Sequence, residues 1–145
     1  MTGVDTASLL LRGAAGLTFV FSGLQKLVPG AGATVDFFDD LGLPWPEVST
    51  QLIGGLEFFG GLALLFGAAT RIAGALFVVE MIGALLVARL PQAAAALSVA
   101  DAVEAVRLEL LLIAACASLV VLGPGRVSID AMARRWSLQR AGAHL

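Results

Sequence analysis

Four long apolar stretches constrain this chain more than any other feature of its sequence. A helix that crosses a bilayer needs about 20 predominantly apolar residues, so four such segments use most of the chain. Hydrophobic residues make up 59% of the sequence and charged residues 14%, whereas soluble domains carry about 25% charged residues. No stretch shows the strict alternation of a barrel strand. We therefore predict an all-α polytopic membrane protein, one membrane domain over residues 1–145.

The predicted bundle has four transmembrane helices, which cover residues 8–28, 50–69, 72–88 and 106–122. The first apolar run ends at Pro29 and Gly30, and the next three residues resemble a signal-cleavage site. We predict a retained helix instead, because Asp5 precedes the run without any basic residue, and Arg12 and Lys26 interrupt it. The alanine-rich stretch 92–105 is predicted to be a helical linker at the membrane interface.

The charges between the apolar segments predict the orientation of the bundle. One side receives most of the arginines, namely Arg71, Arg126, Arg134, Arg135 and Arg140, whereas the other receives most of the acidic residues. Arg89 alone departs from this division. Because basic residues favour the cytoplasmic side, we predict a multi-pass protein of the inner (plasma) membrane with both termini in the cytoplasm. The tail 126–145 fits an amphipathic helix on an anionic leaflet, or a solvated segment.

Residue usage excludes several classes of function. A single cysteine, Cys116, and a single histidine, His144, cannot supply a metal site or bis-histidine haem ligation. The net charge of −2 and the absence of a basic stripe argue against a nucleic-acid partner. Neither a nucleophile–base pair nor a phosphate-binding loop is present, so an enzyme acting alone is disfavoured and catalytic residues stay unassigned.

Glycines in the first two apolar segments predict close helix contacts. Gly16 and Gly23 lie in the first segment, and Gly54 and Gly61 lie in the second. Small residues let backbones approach each other where lipid provides no hydrophobic drive. These glycines are predicted to lie inside one bundle, with a homo-oligomer interface as the alternative.

Six ionisable residues at membrane depth are the candidate site: Arg12, Lys26, Glu57, Glu80, Arg107 and Glu109. Three are basic and three acidic, so the set can neutralise itself, and an unpaired charge facing lipid is implausible. Helical rise places Lys26, Glu57, Arg107 and Glu109 in the outer half of the bundle, while Arg12 is expected to reach Glu80. Two interpretations stay open. The pairs either fix neighbouring helices or line a polar pocket for a quinone head group or another small polar molecule.

Four motifs give the chain a resemblance to a known family. They occupy residues 12–27, 37–46, 55–71 and 109–130, and include Ser22 to Leu27, Gly55 to Leu62 and the closing Gly123 to Asp130. In this order and spacing they resemble the DoxX family of the DoxD-like group of small four-helix membrane proteins. We also expect Arg126 to meet the carbonyls that end the fourth helix, and Ser128 and Asp130 to cap the tail helix.

The resemblance implies a membrane subunit of an oxidoreductase complex. Similar proteins include the membrane subunit of a thiosulfate:quinone oxidoreductase, and a component linked to superoxide dismutase and a sulfurtransferase. It implies functional roles for Arg12, Lys26, Glu57 and Glu109, whereas Glu80 lies outside the family pattern. A bound quinone and protein partners in a membrane redox complex are the corresponding expectations. Two alternatives remain: a non-catalytic accessory or assembly subunit, and a small proton-coupled transporter.

Overall fold

The computed structural model describes residues 2–28 and 32–142. Within these ranges most of the chain is helical and no strand is present, which confirms the predicted fold class. The helices are α1 (Gly3–Leu27), α2 (Gly32–Asp40), α3 (Pro46–Phe66), α4 (Thr70–Ala84), α5 (Leu90–Ala94), α6 (Val99–Leu122) and α7 (Ile129–Gly142). The predicted turn at Pro29 and Gly30, the first residue of the possible cleavage site (Ala31) and His144 lie outside the described residues.

Four helical spans in the described part of the chain are long and apolar enough to cross a membrane. They are Gly3–Leu27, Pro46–Phe66, Thr70–Ala94 and Val99–Leu122. Their outer faces carry many exposed large hydrophobic side chains, as lipid contact requires. All four spans begin before their predicted starts, the third by only two residues and the others by four to seven. The third span also extends beyond its predicted end at residue 88, to Ala94.

The third span contains a π-helical turn, Leu85–Arg89, that joins α4 to α5. The Leu90 N–H donates to the Leu85 carbonyl, five residues back, just before Pro91, whose ring nitrogen cannot donate. In an uninterrupted α-helix, Arg89 would lie about 180° around the axis from Glu80. One extra residue in the turn reduces this angle to roughly 80°, so both residues can face the same side.

The fourth span begins earlier than the sequence indicated. Ser98 caps α6 by accepting a hydrogen bond from the Asp101 N–H at 3.1 Å, so residues 99–105 belong to the long helix. The predicted interfacial linker is therefore reduced to the end of α5 and a short connection. Alanine-rich sequence is compatible with either arrangement, because alanine has high helix propensity in any helix.

Close glycine contacts join α1 to α3. A Cβ added to Gly23 would lie 2.4 Å from the Phe58 nitrogen, and one added to Gly61 would lie 2.8 Å from the Gly16 carbonyl oxygen. The backbones thus pack directly on each other, as predicted for a contact within one bundle. α4 packs mainly on α6, and Phe19 of α1 stacks on Phe77 of α4 with ring centroids 3.6 Å apart.

The segment after α6 folds back beneath the first helix and fixes one end of the bundle. Ser8 Oγ donates to the Gly123 carbonyl at 2.7 Å. The buried Arg12 guanidinium donates to the carbonyls of Pro124 at 2.8 Å and Val127 at 2.7 Å. Arg12, rather than the predicted Arg126, therefore satisfies carbonyls that follow the end of α6.

Gly67 makes this packing feasible. It ends α3 with φ +67°, and a Cβ there would lie only 1.9 Å from Arg12 Nη1.

Ser128 caps α7 as predicted, by accepting from the Ala131 N–H. Asp130 does not cap α7. Its two carboxylate oxygens instead accept from the N–H groups of Ala69, at 2.8 Å, and Thr70, at 3.0 Å, at the start of α4.

Candidate functional site

The opposite end of the bundle encloses a cavity of about 710 Å³ between α1, α2, α3, the third span and α6. Its wall is mostly aromatic and aliphatic, including Phe21, Phe37, Phe38, Ile53, Val87 and Leu108. Phe37 and Phe38 come from α2, the short helix that follows the first span and packs on α3. The polar lining residues include Ser22, Lys26, Glu57, Glu80, Arg89 and Glu109. Small-molecule sites in proteins have this size and this mixture of apolar walls with few polar groups.

The first polar cluster of the cavity joins α1 to α3. Lys26 Nζ lies 2.6 Å from Glu57 Oε2 and donates to Ser22 Oγ at 2.7 Å. Ser22 Oγ in turn donates to Glu57 Oε1 at 3.0 Å. Glu57 is buried, while 16% of the Lys26 side chain is exposed. An ammonium group has three N–H donors, so one remains without a partner among the described residues.

The second cluster joins the third span to α6. Arg89 Nε donates to Glu109 Oε1 at 2.7 Å, and Arg89 Nη1 donates to Gln92 Oε1 at 3.2 Å. Glu109 is buried and Arg89 is partly exposed, and the other guanidinium N–H groups of Arg89 have no partner among the described residues. The π-helical turn that holds Arg89 is the kind of local irregularity that often accompanies functional sites.

Glu80 is the cavity carboxylate without an ion-pair partner among the described residues. Both of its carboxylate oxygens are buried, and neither has a hydrogen-bond partner among the residues the structure describes. Such a group is costly at membrane depth unless it is protonated or meets a ligand group. Glu80 therefore differs from Glu57 and Glu109, whose charges are compensated within the chain.

The predicted set of six residues divides in two. Lys26, Glu57, Glu80 and Glu109 line the cavity together. Arg107 does not, because it pairs with Glu104 on the exposed face of α6, where about 60% of each side chain is accessible. Positions 107 and 109 differ by about 200° around the helix, so only one of them can face the bundle interior.

Arg12 also lies outside the cavity. The expected contact between Arg12 and Glu80 is absent, because the guanidinium donates to Pro124 and Val127 at the other end of the bundle. Those carbonyls belong to a segment more than a hundred residues later, so the sequence around Arg12 does not indicate this contact.

Two lining residues were missed as site residues. The sequence indicated Ser22 only as the start of a family motif, although its spacing of four from Lys26 predicts contact on one helix face. Arg89 stood out because it departed from the charge division between the two sides. A charged residue at membrane depth needs a partner, and this could have indicated Arg89 as a site residue. The π-helical turn that orients Arg89 could not be predicted from the sequence.

Comparison with known protein families identifies the family of this chain. The sequence profile of the DoxX family matches residues 7–90, which is more than half of the chain. The chain belongs to the DoxX family. The match includes Lys26, Glu57, Glu80 and Arg89, whereas Glu109 lies in the following span, beyond it. Since DoxX proteins are membrane proteins and the four apolar spans agree, this chain is a multi-pass membrane protein.

Two curated proteins are similar to this chain in sequence. A Bacillus subtilis protein named "putative oxidoreductase CatD" is 38% identical over 86 residues, which is 59% of this chain. That match spans 62% of CatD, so the chain covers less than two thirds of this relative. The uncharacterized membrane protein Rv3486 of Mycobacterium tuberculosis is 28% identical over 127 residues, 84% of this chain and 78% of Rv3486. No solved structure matches the chain.

Proposed function

We propose that this DoxX protein is the membrane subunit of a quinone-linked redox complex and that its cavity holds the quinone head group. The observation that carries the proposal is the unpartnered Glu80 carboxylate inside an otherwise compensated, mostly apolar cavity. The name of CatD, which is similar to this chain over 86 residues, agrees with a redox role.

The donor set of the cavity fits a quinone. The free N–H of Lys26 and the remaining N–H groups of Arg89 can donate to carbonyl oxygens, which are the polar atoms of a quinone ring. The aromatic and aliphatic wall suits the ring and the start of an apolar tail. Glu57 and Glu109 hold the two cations in place, so their donors are preorganised before any ligand arrives.

Glu80 supplies the cavity with a group that can hold a proton. When protonated it donates to a carbonyl oxygen, and when ionised it accepts from a hydroxyl group. A bound quinone would supply two-electron chemistry that takes up or releases two protons. Glu80 would be positioned to hold one such proton beside the ring, inside a cavity from which apolar side chains exclude bulk water.

A titration with a short-chain quinone tests the proposal on purified protein in neutral detergent. We expect saturable binding by the wild type, and at least about tenfold weaker binding by Glu80→Leu, because the replacement removes the polar group that meets the ring. The matched control is Glu104→Leu, which removes an exposed carboxylate outside the cavity and should bind like the wild type. Equal binding by wild type and Glu80→Leu would place the quinone elsewhere and contradict the proposal.

One observation favours the second candidate, an accessory or assembly subunit without a ligand. Both cavity ion pairs are satisfied within the chain, so they could fix α1 against α3 and the third span against α6 without any bound molecule. This function predicts no saturable quinone binding by any variant, together with loss of a larger membrane complex when the chain is deleted.

A further inference from the structure

A groove of about 990 Å³ lies at the end of the bundle remote from the cavity. It runs between the start of α4, the end of α6 and the first turns of α7. Four arginines line it, namely Arg71, Arg126, Arg134 and Arg135, and all four are exposed. We call this surface the arginine groove. The arginine groove shares no lining residue with the cavity proposed to hold a quinone, so a different ligand must be considered for it.

The two carboxylates that line the arginine groove offset only half of the charge of its four arginines. Asp130 uses both oxygens on the N–H groups of Ala69 and Thr70. Asp5 accepts from the Arg126 N–H at 2.9 Å through Oδ1 and from the Thr2 N–H at 2.8 Å through Oδ2. Among the ion pairs of the described residues, none involves a groove arginine. The groove therefore keeps a net positive charge, and none of its four guanidinium groups is paired with a carboxylate of the described residues.

Exposed apolar side chains share the groove with the arginines. Ile72 and Leu138 are 66% and 73% exposed, and Leu122 adds a third apolar contact. The groove lies where two membrane-length helices end, which is the depth of phospholipid phosphates. A free phosphate ion would use the arginines but not the apolar side chains, whereas a phospholipid uses both.

We propose that the arginine groove binds the phosphate of an anionic phospholipid, whose acyl chains lie along Ile72 and Leu122. Guanidinium groups suit this ligand because their planar N–H pairs match phosphate oxygens. Bound lipid ties α7, which otherwise packs little on the bundle, to the leaflet surface. The arginine groove is thereby a lipid-specific contact in addition to the general attraction of basic residues to an anionic leaflet.

Native mass spectrometry of the delipidated full chain in neutral detergent tests this proposal, with phosphatidylglycerol and phosphatidylcholine as probes. The test variant is Arg134→Gln/Arg135→Gln. The control variant is Arg107→Gln/Arg140→Gln, which removes the same charge from exposed positions outside the groove. Circular dichroism and gel filtration establish that each variant keeps its helices and size. A third variant, Arg134→Lys/Arg135→Lys, keeps the charge without the planar donor pairs.

The expected result is tighter retention of phosphatidylglycerol than of phosphatidylcholine by the wild type and the control. The test variant should bind phosphatidylglycerol at least about tenfold more weakly, since each basic side chain near the headgroup contributes roughly fivefold. The lysine variant should fall between the two. Equal retention of the two lipids by the wild type would overturn the proposal, and so would an equal loss in test and control variants. Displacement of the lipid by millimolar inorganic phosphate would identify a phosphate site instead of a phospholipid site.

Discussion

At the scale of single residues, the Lys26–Glu57 pair shows how charges are tolerated inside this bundle. Both groups are held by Ser22 as well as by each other, and Glu57 is buried. Removing one partner of such a pair leaves an uncompensated charge in a low-dielectric interior, which costs more than the pair itself contributes. Ion pairs at exposed positions have much smaller effects.

We therefore expect Lys26→Met and Glu57→Gln each to lower the free energy of unfolding by about 3 kcal/mol. The double variant Lys26→Met/Glu57→Gln should recover a large part of this loss, because no charge is then left alone. Arg107→Gln, which breaks an exposed pair, should cost less than about 1 kcal/mol. Reversible unfolding in mixed detergent, followed by circular dichroism, measures all four. Additive losses in the double variant would show that the two residues do not interact.

The need to neutralise charges at membrane depth predicted part of the site from the sequence. Lys26 and Glu57 have opposite charges and similar depths along their helices, which indicated that they form a pair. Glu109 was likewise placed in the outer half, but its partner is Arg89 rather than a residue of the predicted set. Arg12 shows the limit of this reasoning. Its partners are backbone carbonyls of a segment that folds back beneath α1, and carbonyls carry no signal in a sequence.

At the scale of elements, the contact between α1 and α3 places the first polar cluster. Gly23 and Gly54 allow the two backbones to touch one turn from Lys26 and close to Glu57. The sequence predicted this contact because glycines in apolar helices are typical of close packing. The start of α6 was not predicted, because the Ser98 cap moves the helix boundary without changing the hydropathy of the sequence. The π-helical turn was not predicted either, because one inserted residue rotates the following side chains around the helix axis and leaves the hydropathy unchanged.

Gly23→Ala is expected to separate α1 from α3, because the new Cβ would lie 2.4 Å from a backbone nitrogen that cannot move alone. We expect a loss of about 2 kcal/mol in stability and weaker quinone binding through the displaced Lys26. The control is Gly55→Ala, at a position where an added Cβ meets nothing within 4 Å. That variant should stay within about 1 kcal/mol of the wild type, on the stabilising side. The same unfolding measurement distinguishes them, and equal effects would argue against a close α1–α3 contact.

At the scale of the whole molecule, the two ends of the bundle differ in charge and in content. One end carries the arginine groove, and the other carries the cavity and the exposed Leu97 connection between α5 and α6. The charge distribution predicts that the arginine end faces the cytoplasm. This orientation would open the cavity toward the outer half of the membrane.

Cysteine labelling tests the orientation. A membrane-impermeant maleimide should label Leu97→Cys in right-side-out vesicles and Ser137→Cys only in inverted vesicles. Both substitutions lie at exposed positions, and the native Cys116 is fully buried in the bundle core and should remain unlabelled in the folded protein. The opposite labelling pattern would reverse the predicted topology and place the cavity on the cytoplasmic side.

The most direct measurement of the central claim is the quinone content of the protein as it comes from its own membrane. The chain is purified in mild detergent from cells that express wild type, Glu80→Leu or Glu104→Leu, and extracted lipids and co-purified proteins are quantified by mass spectrometry. We predict about one ubiquinone or menaquinone per chain for the wild type and Glu104→Leu, strong depletion for Glu80→Leu, and a soluble redox partner alongside. A wild-type protein that is folded, purified with its membrane partners and free of quinone would contradict the account.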